Sequence, residues 1–97
     1  LQFFNNTITL EADDFYSLYI LRCADNSLYT GIARELDKRL DEHNNSPKGA
    51  KYTKARRPVS VVYEERHRSK SSALKRELEV KKMSRVQKEK LVSLQKR

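Results

Sequence analysis

The chain contains a single cysteine, Cys23, and this scarcity excludes two classes of small protein. One thiol cannot form an internal disulfide framework, and it cannot supply the several cysteines of a zinc cluster. Because a chain without disulfides suits a reducing compartment, we expect a cytoplasmic protein. The sequence also lacks any apolar run near the roughly 20 residues that span a bilayer, which predicts no membrane insertion.

The N-terminal stretch, residues 1–14, lacks both the basic start and the long apolar centre of a signal peptide. It is acidic, ends in Glu11, Asp13 and Asp14, and is compatible with a short extra strand at Thr7–Leu10. We therefore interpret residues 1–14 as an N-terminal extension. The remaining residues 15–95 are expected to form one domain, since 97 residues are too few for two.

Charge is distributed unevenly along the chain. Residues 1–46 carry 4 Lys/Arg and 8 Asp/Glu, whereas residues 47–97 carry 17 Lys/Arg and 5 Asp/Glu. A basic half of this density attracts phosphate backbones through screened Coulomb forces and counterion release. The pattern indicates a nucleic-acid partner, and the alternative is a lysine-rich surface that only aids solubility. A domain this small has room for a shallow groove, which suits a polymer better than a small molecule.

The pattern of apolar and turn-forming residues predicts three strands and three helices in the order ββαβαα. The first two strands form a hairpin, a basic loop follows the first helix, and serines are candidate N-caps of the later helices. We therefore expect an α+β fold with a small, three-stranded, mainly antiparallel sheet and flanking helices. The expected strands are 15–23, 28–32 and 59–65, the helices are 33–43, 70–83 and 85–95, and the caps are Ser69 or Ser71, and Ser84.

One carboxylate occupies an unfavourable position on the second predicted helix. On a helical wheel, Glu77 falls within an apolar stripe formed by Ala73, Leu74, Leu78 and Val80. A carboxylate that faces a core is costly unless it is paired or bound to a metal ion. The sequence leaves two explanations open, a metal ligand or an ion pair with Lys81 four residues later.

The first helix places Arg39 and His43 four residues apart, so their side chains share one face. Leu36 flanks that face, and Ile32 is expected to extend it. An arginine and a histidine at the edge of a core can hold a phosphate and move a proton. The alternative is an arginine at the rim and a histidine favoured by the helix dipole near the C-terminus.

The hairpin carries two tyrosines, Tyr19 and Tyr29, whose relative orientation depends on the turn. A three-residue loop at 25–27 pairs Cys23 with Tyr29 and puts both tyrosines on one face, whereas a two-residue turn separates them. Gly31, one of only two glycines, lets a substrate or helix approach the backbone closely. The alternative for the tyrosines is that they serve only as core residues.

Together and in this order, these features resemble the GIY-YIG nuclease superfamily. Its motifs are matched by Leu18-Tyr19-Ile20, Tyr29-Thr30-Gly31, the helix motif 31–43 and Ala73-Leu74-Lys75-Arg76-Glu77. The run 48–53 with Arg56-Arg57-Pro58 is similar to the small standalone bacterial, YhbQ-like branch, and also to the nuclease domain of Slx-type structure-specific endonucleases. The resemblance covers about residues 15–92.

The sequence departs from the family pattern at three places. Leu18 replaces the first glycine and Thr30 replaces the middle isoleucine, while both tyrosines are retained. Many members carry an asparagine in the last helix, but no asparagine follows Asn45 here. Gln87 or Glu89 stands near the expected place, and the asparagine's role is not transferred to either.

The resemblance implies a metal-dependent DNA endonuclease, structure-selective and active in DNA repair or recombination. It implies that Glu77 binds Mg²⁺ or Mn²⁺, with water and phosphate oxygens completing the shell. Tyr19, assisted by His43, would deprotonate the attacking water, while Tyr29 and Arg39 would orient the scissile phosphate. The flanking backbone and a stacked base would be held by Lys48, Lys51, Tyr52, Lys54, Arg56 and Arg57.

DNA is the expected partner, and RNA is an alternative. With no second domain in the sequence, a protein partner or self-association is a candidate source of specificity. Two other functions stay open, a nucleic-acid-binding module that keeps the fold without cutting, and a protein-interaction domain that uses the basic helices.

Overall fold

A computed structural model describes residues 15–95, which form a three-stranded antiparallel sheet with helices on both faces. The strands lie in the spatial order β2-β1-β3. The predicted α+β class and the predicted sheet are confirmed. In chain order the elements are β1 (Tyr16–Arg22), β2 (Leu28–Ala33), α1 (Leu36–Asn45), α2 (Lys51–Lys54), β3 (Ser60–His67), α3 (Lys70–Lys81) and α4 (Arg85–Leu94).

Two expectations about this order need comment. The segment expected to be a basic loop contains the single-turn helix α2, which the sequence pattern did not indicate. The N-terminal extension at 1–14, with its candidate strand at 7–10, lies outside the described residues.

The first helix begins three residues later than predicted. Ala33 is still paired with Ser17, and Ile32 with Leu18, so the sheet retains these residues in β2. Ile32 therefore does not extend the face of α1, and that expectation is wrong. Its side chain packs on the opposite face of the sheet, against the core that contains Leu18.

Alternation along the central strand builds a core on each face of the sheet. Leu18 and Ile20 point to one face, where α3, α4 and the turn between them contribute Val80, Met83, Leu91 and Val92. Tyr19 and Leu21 point to the other face, where α1 contributes Leu36 and Leu40. Because β1 is covered on both sides, the two tyrosine-bearing strands are held rigidly between layers.

The hairpin turn lies one residue earlier than predicted. Leu21, not Cys23, is paired with Tyr29, and the Cys23 N–H donates to the Ser27 carbonyl at 2.9 Å. The three-residue loop is therefore 24–26, and Asn26 adopts the left-handed φ of 70° that such loops require. The two registers have the same parity, so Tyr19 and Tyr29 share a face as expected.

Serine caps fix the starts of the last two helices. The Ser69 hydroxyl accepts the Ser72 N–H at 3.0 Å, which selects Ser69 over Ser71 as the N-cap of α3. Ser84 and Gln87 form a reciprocal capping box at α4. Within residues 15–95, no helix combines the length and the apolar character needed to traverse a bilayer.

Candidate active site

The phenol of Tyr19 lies across the backbone of the neighbouring strand. Tyr19 is 1% exposed and is paired with Gly31 of β2. A Cβ atom at position 31 would lie 2.6 Å from Oη and 2.8 Å from Cζ of Tyr19. The sequence pattern correctly predicted a close approach to this glycine, but the approaching group is the tyrosine ring itself. Gly31 thus lets the phenol reach the outer edge of β2.

At that edge, the Tyr19 hydroxyl meets His43. Oη lies 2.8 Å from Nε2 of His43, and His43 is fully buried. His43 is in the last turn of α1, which packs on the same face of the sheet as Tyr19. The expected pairing of a tyrosine with a helix-terminal histidine is therefore present in space.

The other ring nitrogen of His43 faces the short helix α2. Nδ1 lies 3.0 Å from the Thr53 hydroxyl, and the Ala50 N–H points at the same nitrogen from 3.3 Å. The Thr53 hydroxyl also donates to the Ala50 carbonyl at 2.9 Å. Thr53 is fully buried, like His43. Sequence reasoning missed Thr53, because a threonine within a basic segment has no distinguishing periodicity.

Burial shifts the pKa values of both members of this pair. Burial, with a smaller contribution from the positive charge of Arg39, lowers the pKa of His43 from 6.5 to about 4. Burial, followed by the nearby phenol of Tyr29, raises the pKa of Tyr19 from 10.0 to about 12. At neutral pH, the pair therefore consists of a neutral imidazole and a neutral phenol.

Tyr29 completes an aromatic cluster around His43. Its ring centroid lies 5.3 Å from that of His43 in an edge-on arrangement and 6.5 Å from that of Tyr19. Tyr52 of α2 stacks on Tyr29, with centroids 6.0 Å apart and planes inclined by 24°. The structure thus brings Tyr29, which is half-buried, and the exposed Tyr52 to the same place.

Arg39 lies one turn before His43 on α1 and joins the cluster from the solvent side. Its guanidinium pairs with Glu42 at 2.7 Å and donates to the Lys48 carbonyl at 3.0 Å. The hydrogen bond to Glu42, with a smaller contribution from the neighbouring Tyr19, raises the pKa of Arg39. The positive charge of Arg39 in turn opposes the rise in the pKa of Tyr19. A fixed cation therefore stands next to the phenol oxygen.

Glu77 reaches the site from α3, and its helical surroundings differ from those predicted. Ala73 and Val80 are buried, but Leu74 and Leu78 are 41% and 60% exposed. The buried stripe is therefore narrower than expected, and Glu77 lies at its border, not at its centre. The expected ion pair is present, since Oε2 of Glu77 lies 3.3 Å from Nζ of Lys81. The carboxylate remains close enough to raise the pKa of Tyr19.

Two lysines line a cavity beside Tyr29, and the sequence had indicated Lys81 only as an ion-pair partner of Glu77 and Lys88 not at all. The cavity has a volume of about 240 Å³. Its lining residues are Leu28, Tyr29, Thr30, Tyr52, Lys81 and Lys88. Lys81 comes from α3 and Lys88 from α4, so the cleft runs between the tyrosines and the basic helices. No local signal separated Lys88 from the other lysines of the basic half.

The residues near the expected place of the missing asparagine on α4 differ in their contacts. Gln87 is occupied in the capping box with Ser84, and Glu89 forms a two-pronged ion pair with Arg22 at 2.7 and 2.9 Å. That pairing lowers the pKa of Glu89 to about 2. Among these three neighbours on α4, only Lys88 lines the cavity beside Tyr29.

The predicted nucleic-acid-binding residues divide into two groups. Lys48, Lys51 and Lys54 are exposed around α2, close to Tyr52. Arg56 and Arg57 are half-buried, and their guanidinium groups contact other groups of the protein. The guanidinium of Arg56 lies 3.8 Å from the centre of the Tyr52 ring and pairs with Asp25 at 3.1 Å.

Arg57 caps the C-terminal end of α1. Its guanidinium donates to the carbonyls of His43 and Ser46 at 2.6 Å, and to that of Glu42 at 3.3 Å. The last carbonyls of a helix lack the partners that interior carbonyls have, and here that of Glu42 also accepts the Ser46 N–H at 3.0 Å. A cation at this end also suits the helix dipole. Arg57 therefore stabilises the turn of α1 that carries His43.

The donor set for a metal ion at this site is small. Among residues 15–95, no three histidine, cysteine, aspartate or glutamate side chains converge on a point that could hold an ion. Glu77 therefore offers a single carboxylate, because the other acidic side chain near the pair, Glu42, is bound to Arg39 at 2.7 Å. A Mg²⁺ ion commonly keeps several waters and takes one or two carboxylates together with substrate phosphates, so a lone carboxylate fits such a shared shell.

Comparison with known proteins gives the same assignment as the geometry. Residues 15–90 match the family model described as the GIY-YIG catalytic domain. A UPF0213 protein of Staphylococcus saprophyticus is 55% identical over 80 residues, which covers 82% of this chain and 96% of the relative. A UPF0213 protein of Staphylococcus aureus is 49% identical over 79 residues, covering 81% and 95%.

Solved structures agree. The solution NMR structure of a UPF0213 protein from Bacillus halodurans is 45% identical, with a TM-score of 0.56 over 84% of this chain and 86% of the other. The solution NMR structure of a protein from E. faecalis is 39% identical, with a TM-score of 0.58 over 82% of this chain and 84% of the other. The chain belongs to the GIY-YIG family, and it resembles that family's small bacterial UPF0213 proteins.

Proposed function

We propose that this protein is a metal-dependent DNA endonuclease that hydrolyses phosphodiester bonds, with selectivity for DNA structure over sequence. The observation that carries the proposal is the convergence of Tyr19, His43, Arg39 and Glu77 on one edge of β2, beside a cleft lined with lysines. Family membership supports the same chemistry. Action in DNA repair or recombination is part of this proposal.

The Tyr19–His43 pair supplies the base. Water gives a proton to Oη of Tyr19 while the phenol passes its own hydrogen to Nε2 of His43, so the tyrosine stays neutral. The hydroxide adds to phosphorus, the bond to the leaving ester oxygen breaks, and that oxygen takes a proton from solvent. The imidazolium then returns its proton to solvent through Tyr19. Burial disfavours both charged forms, the phenolate of Tyr19 with its pKa of about 12 and the imidazolium of His43 with its pKa of about 4, so in this proposal the negative charge of the bound phosphate must stabilise the imidazolium.

Arg39 and Tyr29 hold the phosphate in this proposal. The guanidinium of Arg39 already lies beside Oη of Tyr19, where it can donate to the phosphoryl oxygens as their negative charge increases. The half-buried Tyr29 lies between that point and the cleft, so its hydroxyl can orient the same group. Both roles stay predictions for mutagenesis to test.

Glu77 would hold Mg²⁺ or Mn²⁺ jointly with substrate oxygens. When bound, the ion polarises the phosphate and stabilises the leaving oxygen. The Glu77 carboxylate must release Lys81 to do so, and Lys81 lies at the cleft, where a substrate phosphate would accept it. Glu77 and Lys81 would then exchange partners when DNA and the ion are bound together.

The substrate path follows the exposed cations on both sides of the tyrosines. Lys48, Lys51 and Lys54 flank the site from α2, and Lys88 flanks it from α4. None of these cations lies in a deep enclosed pocket, so they suit backbone contacts and recognition of shape. Arg56 and Arg57 are better explained by their contacts within the protein.

The decisive experiment measures nicking of labelled flapped and branched DNA with Mg²⁺ or Mn²⁺. We expect Glu77→Gln and Tyr19→Phe each to reduce cleavage about 100-fold or more, because each removes a group used in the transition state. Glu79→Gln is the matched control, since Glu79 lies on the same helix and pairs only at the surface, with Arg76 at 3.0 Å.

EDTA should abolish cleavage by the wild type. EDTA-sensitive nicking that survives Glu77→Gln would refute the assignment of Glu77, since another protein would then be the source of the activity or another residue its ligand. RNA substrates of the same shape provide a direct comparison of the two polymers.

One observation favours a second function, binding of nucleic acid without cleavage. Glu77 is already neutralised by Lys81, and Glu42, the other acidic side chain near the pair, is bound to Arg39. Salt-dependent binding of DNA, with no cleavage of any tested structure under either metal, would establish this alternative. It would leave the lysine-lined cleft as the functional surface.

A further inference from the structure

We propose that Thr53 is a positioning residue that selects the tautomer of His43 and thereby aims the hydroxyl hydrogen of Tyr19. The inference deepens the proposed function and relies on it for the catalytic consequence. The structural part, the identity of the protonated nitrogen, stands on the contacts of four buried or half-buried groups.

The Thr53 hydroxyl has a single hydrogen, so it can donate only one hydrogen bond. Oγ1 of Thr53 donates to the Ala50 carbonyl at 2.9 Å, a contact within the same helical turn. With its hydrogen used there, Oγ1 can only accept from His43. The 3.0 Å contact between Oγ1 and Nδ1 then places a hydrogen on Nδ1.

The second step follows from the neutrality of the ring. The pKa of His43 is about 4, because burial disfavours its charged form, so one nitrogen only carries hydrogen at neutral pH. With Nδ1 protonated, Nε2 is an acceptor. Tyr19 must then donate the 2.8 Å hydrogen bond to Nε2, so its hydroxyl hydrogen points into the protein. A lone pair of Oη is left to face the cleft, which is the orientation a base requires.

One contact argues for the opposite tautomer. The Ala50 N–H points at Nδ1 from 3.3 Å, and it would suit a bare nitrogen that also accepts from Thr53. In that arrangement Nε2–H donates to Oη, and the phenol hydrogen turns toward the cleft. The Ala50 contact is the longest of the set, whereas the bonds of the Thr53 relay measure 2.9 and 3.0 Å. We assign the hydrogen to Nδ1 on these two shorter contacts, and this tautomer gives up the Ala50 contact.

A chain of this size allows the tautomer to be read directly by ¹⁵N NMR of the histidine rings. We expect wild-type His43 to carry its hydrogen on Nδ1. In Thr53→Val, which keeps the shape but removes the hydroxyl, we expect the hydrogen to move to Nε2, and Thr53→Ser should restore the wild-type spectrum. His67, which contacts Ser72 and Glu65, is the internal reference because it should not change.

Cleavage kinetics supply the second readout. Thr53→Val should lower kcat about 10- to 100-fold with little change in KM, because the base is misoriented while the phosphate contacts remain. Thr53→Ser should recover most of the rate. A wild-type His43 that carries its hydrogen on Nε2 would overturn the inference, as would an unchanged tautomer in folded Thr53→Val.

The two proposals fail separately. If Thr53→Val does not fold, the wild-type and Thr53→Ser spectra still decide the protonated nitrogen. If the wild type cuts no DNA but the tautomer responds to Thr53 as expected, the positioning role stands and the endonuclease proposal is refuted.

Discussion

Tyr19 and Gly31 are cross-strand partners, and the phenol of the first fills the space where a side chain of the second would lie. A Cβ at position 31 would approach Oη to 2.6 Å, closer than real contacts allow. Since Tyr19 is buried, its ring has little room to move aside. The position of the Tyr19 phenol therefore depends on the absence of a side chain at position 31.

Gly31→Ala should displace the Tyr19 ring and break its contact with His43. We expect a loss of stability of about 1–3 kcal/mol from overpacking and a loss of cleavage of about 100-fold. Combined with Tyr19→Phe, the substitution should reduce the rate little further, because both act on the same hydroxyl. Wild-type cleavage by Gly31→Ala would contradict this account of the site.

Arg57→Ala should affect stability more than DNA affinity. The substitution removes a guanidinium that binds three carbonyls at the end of α1, and we expect a loss of about 1–3 kcal/mol. Lys54→Ala, at an exposed lysine nearby, should change stability by less than about 0.5 kcal/mol. Urea unfolding and DNA titration of both variants test this. Equal stability of the two variants would disprove the capping role.

His43 should make the protein sensitive to mild acid. Its pKa is about 4 in the folded protein and 6.5 as a model value, so the unfolded chain binds a proton between these values while the folded protein does not. The contribution of His43 to the free energy of unfolding is therefore fully present above pH 6.5. It falls by about 3 kcal/mol as the pH drops toward 4.

His43→Gln supplies the comparison, because it removes the titrating group and leaves the surrounding charges of Arg39, Glu42 and Arg57 in place. Urea unfolding at pH 7 and pH 4.5 should show a smaller loss in the variant than in the wild type. An equal loss in both proteins would show that carboxylates alone account for the acid sensitivity.

Lys88→Met should weaken DNA binding in a way that depends on salt. If Lys88 contacts one phosphate across the cleft, its removal lowers the slope of log affinity against log salt by about 1. Lys70→Met, at the start of α3 and away from the cavity lining, should leave the slope unchanged. Fluorescence anisotropy at several salt concentrations measures both, and identical slopes would remove Lys88 from the substrate path.

Local sequence patterns were sufficient for the elements and several of their ends. Alternating apolar residues predicted the strands, and Ser69 and Ser84 marked helix starts, because capping depends on neighbours within a few residues. The end of β2 was predicted wrongly, since pairing of Ala33 with Ser17 extends the strand through residues that look helical. Pairing partners distant in sequence decide such boundaries.

The sequence by itself determined the charge asymmetry and the ordered residues of the GIY-YIG pattern, because each depends on composition or spacing. It left the shared face of the two tyrosines dependent on the length of the hairpin turn, and the pairing of β1 with β2 decided it. Only the tertiary structure decided the surroundings of these residues. In the folded protein, Gly31 lies under the ring of Tyr19, and Thr53 contacts His43. Lys88 lines the cleft, and Arg57 binds carbonyls at the end of α1. Those contacts join separate elements, and their geometry exists only after the sheet and helices have packed.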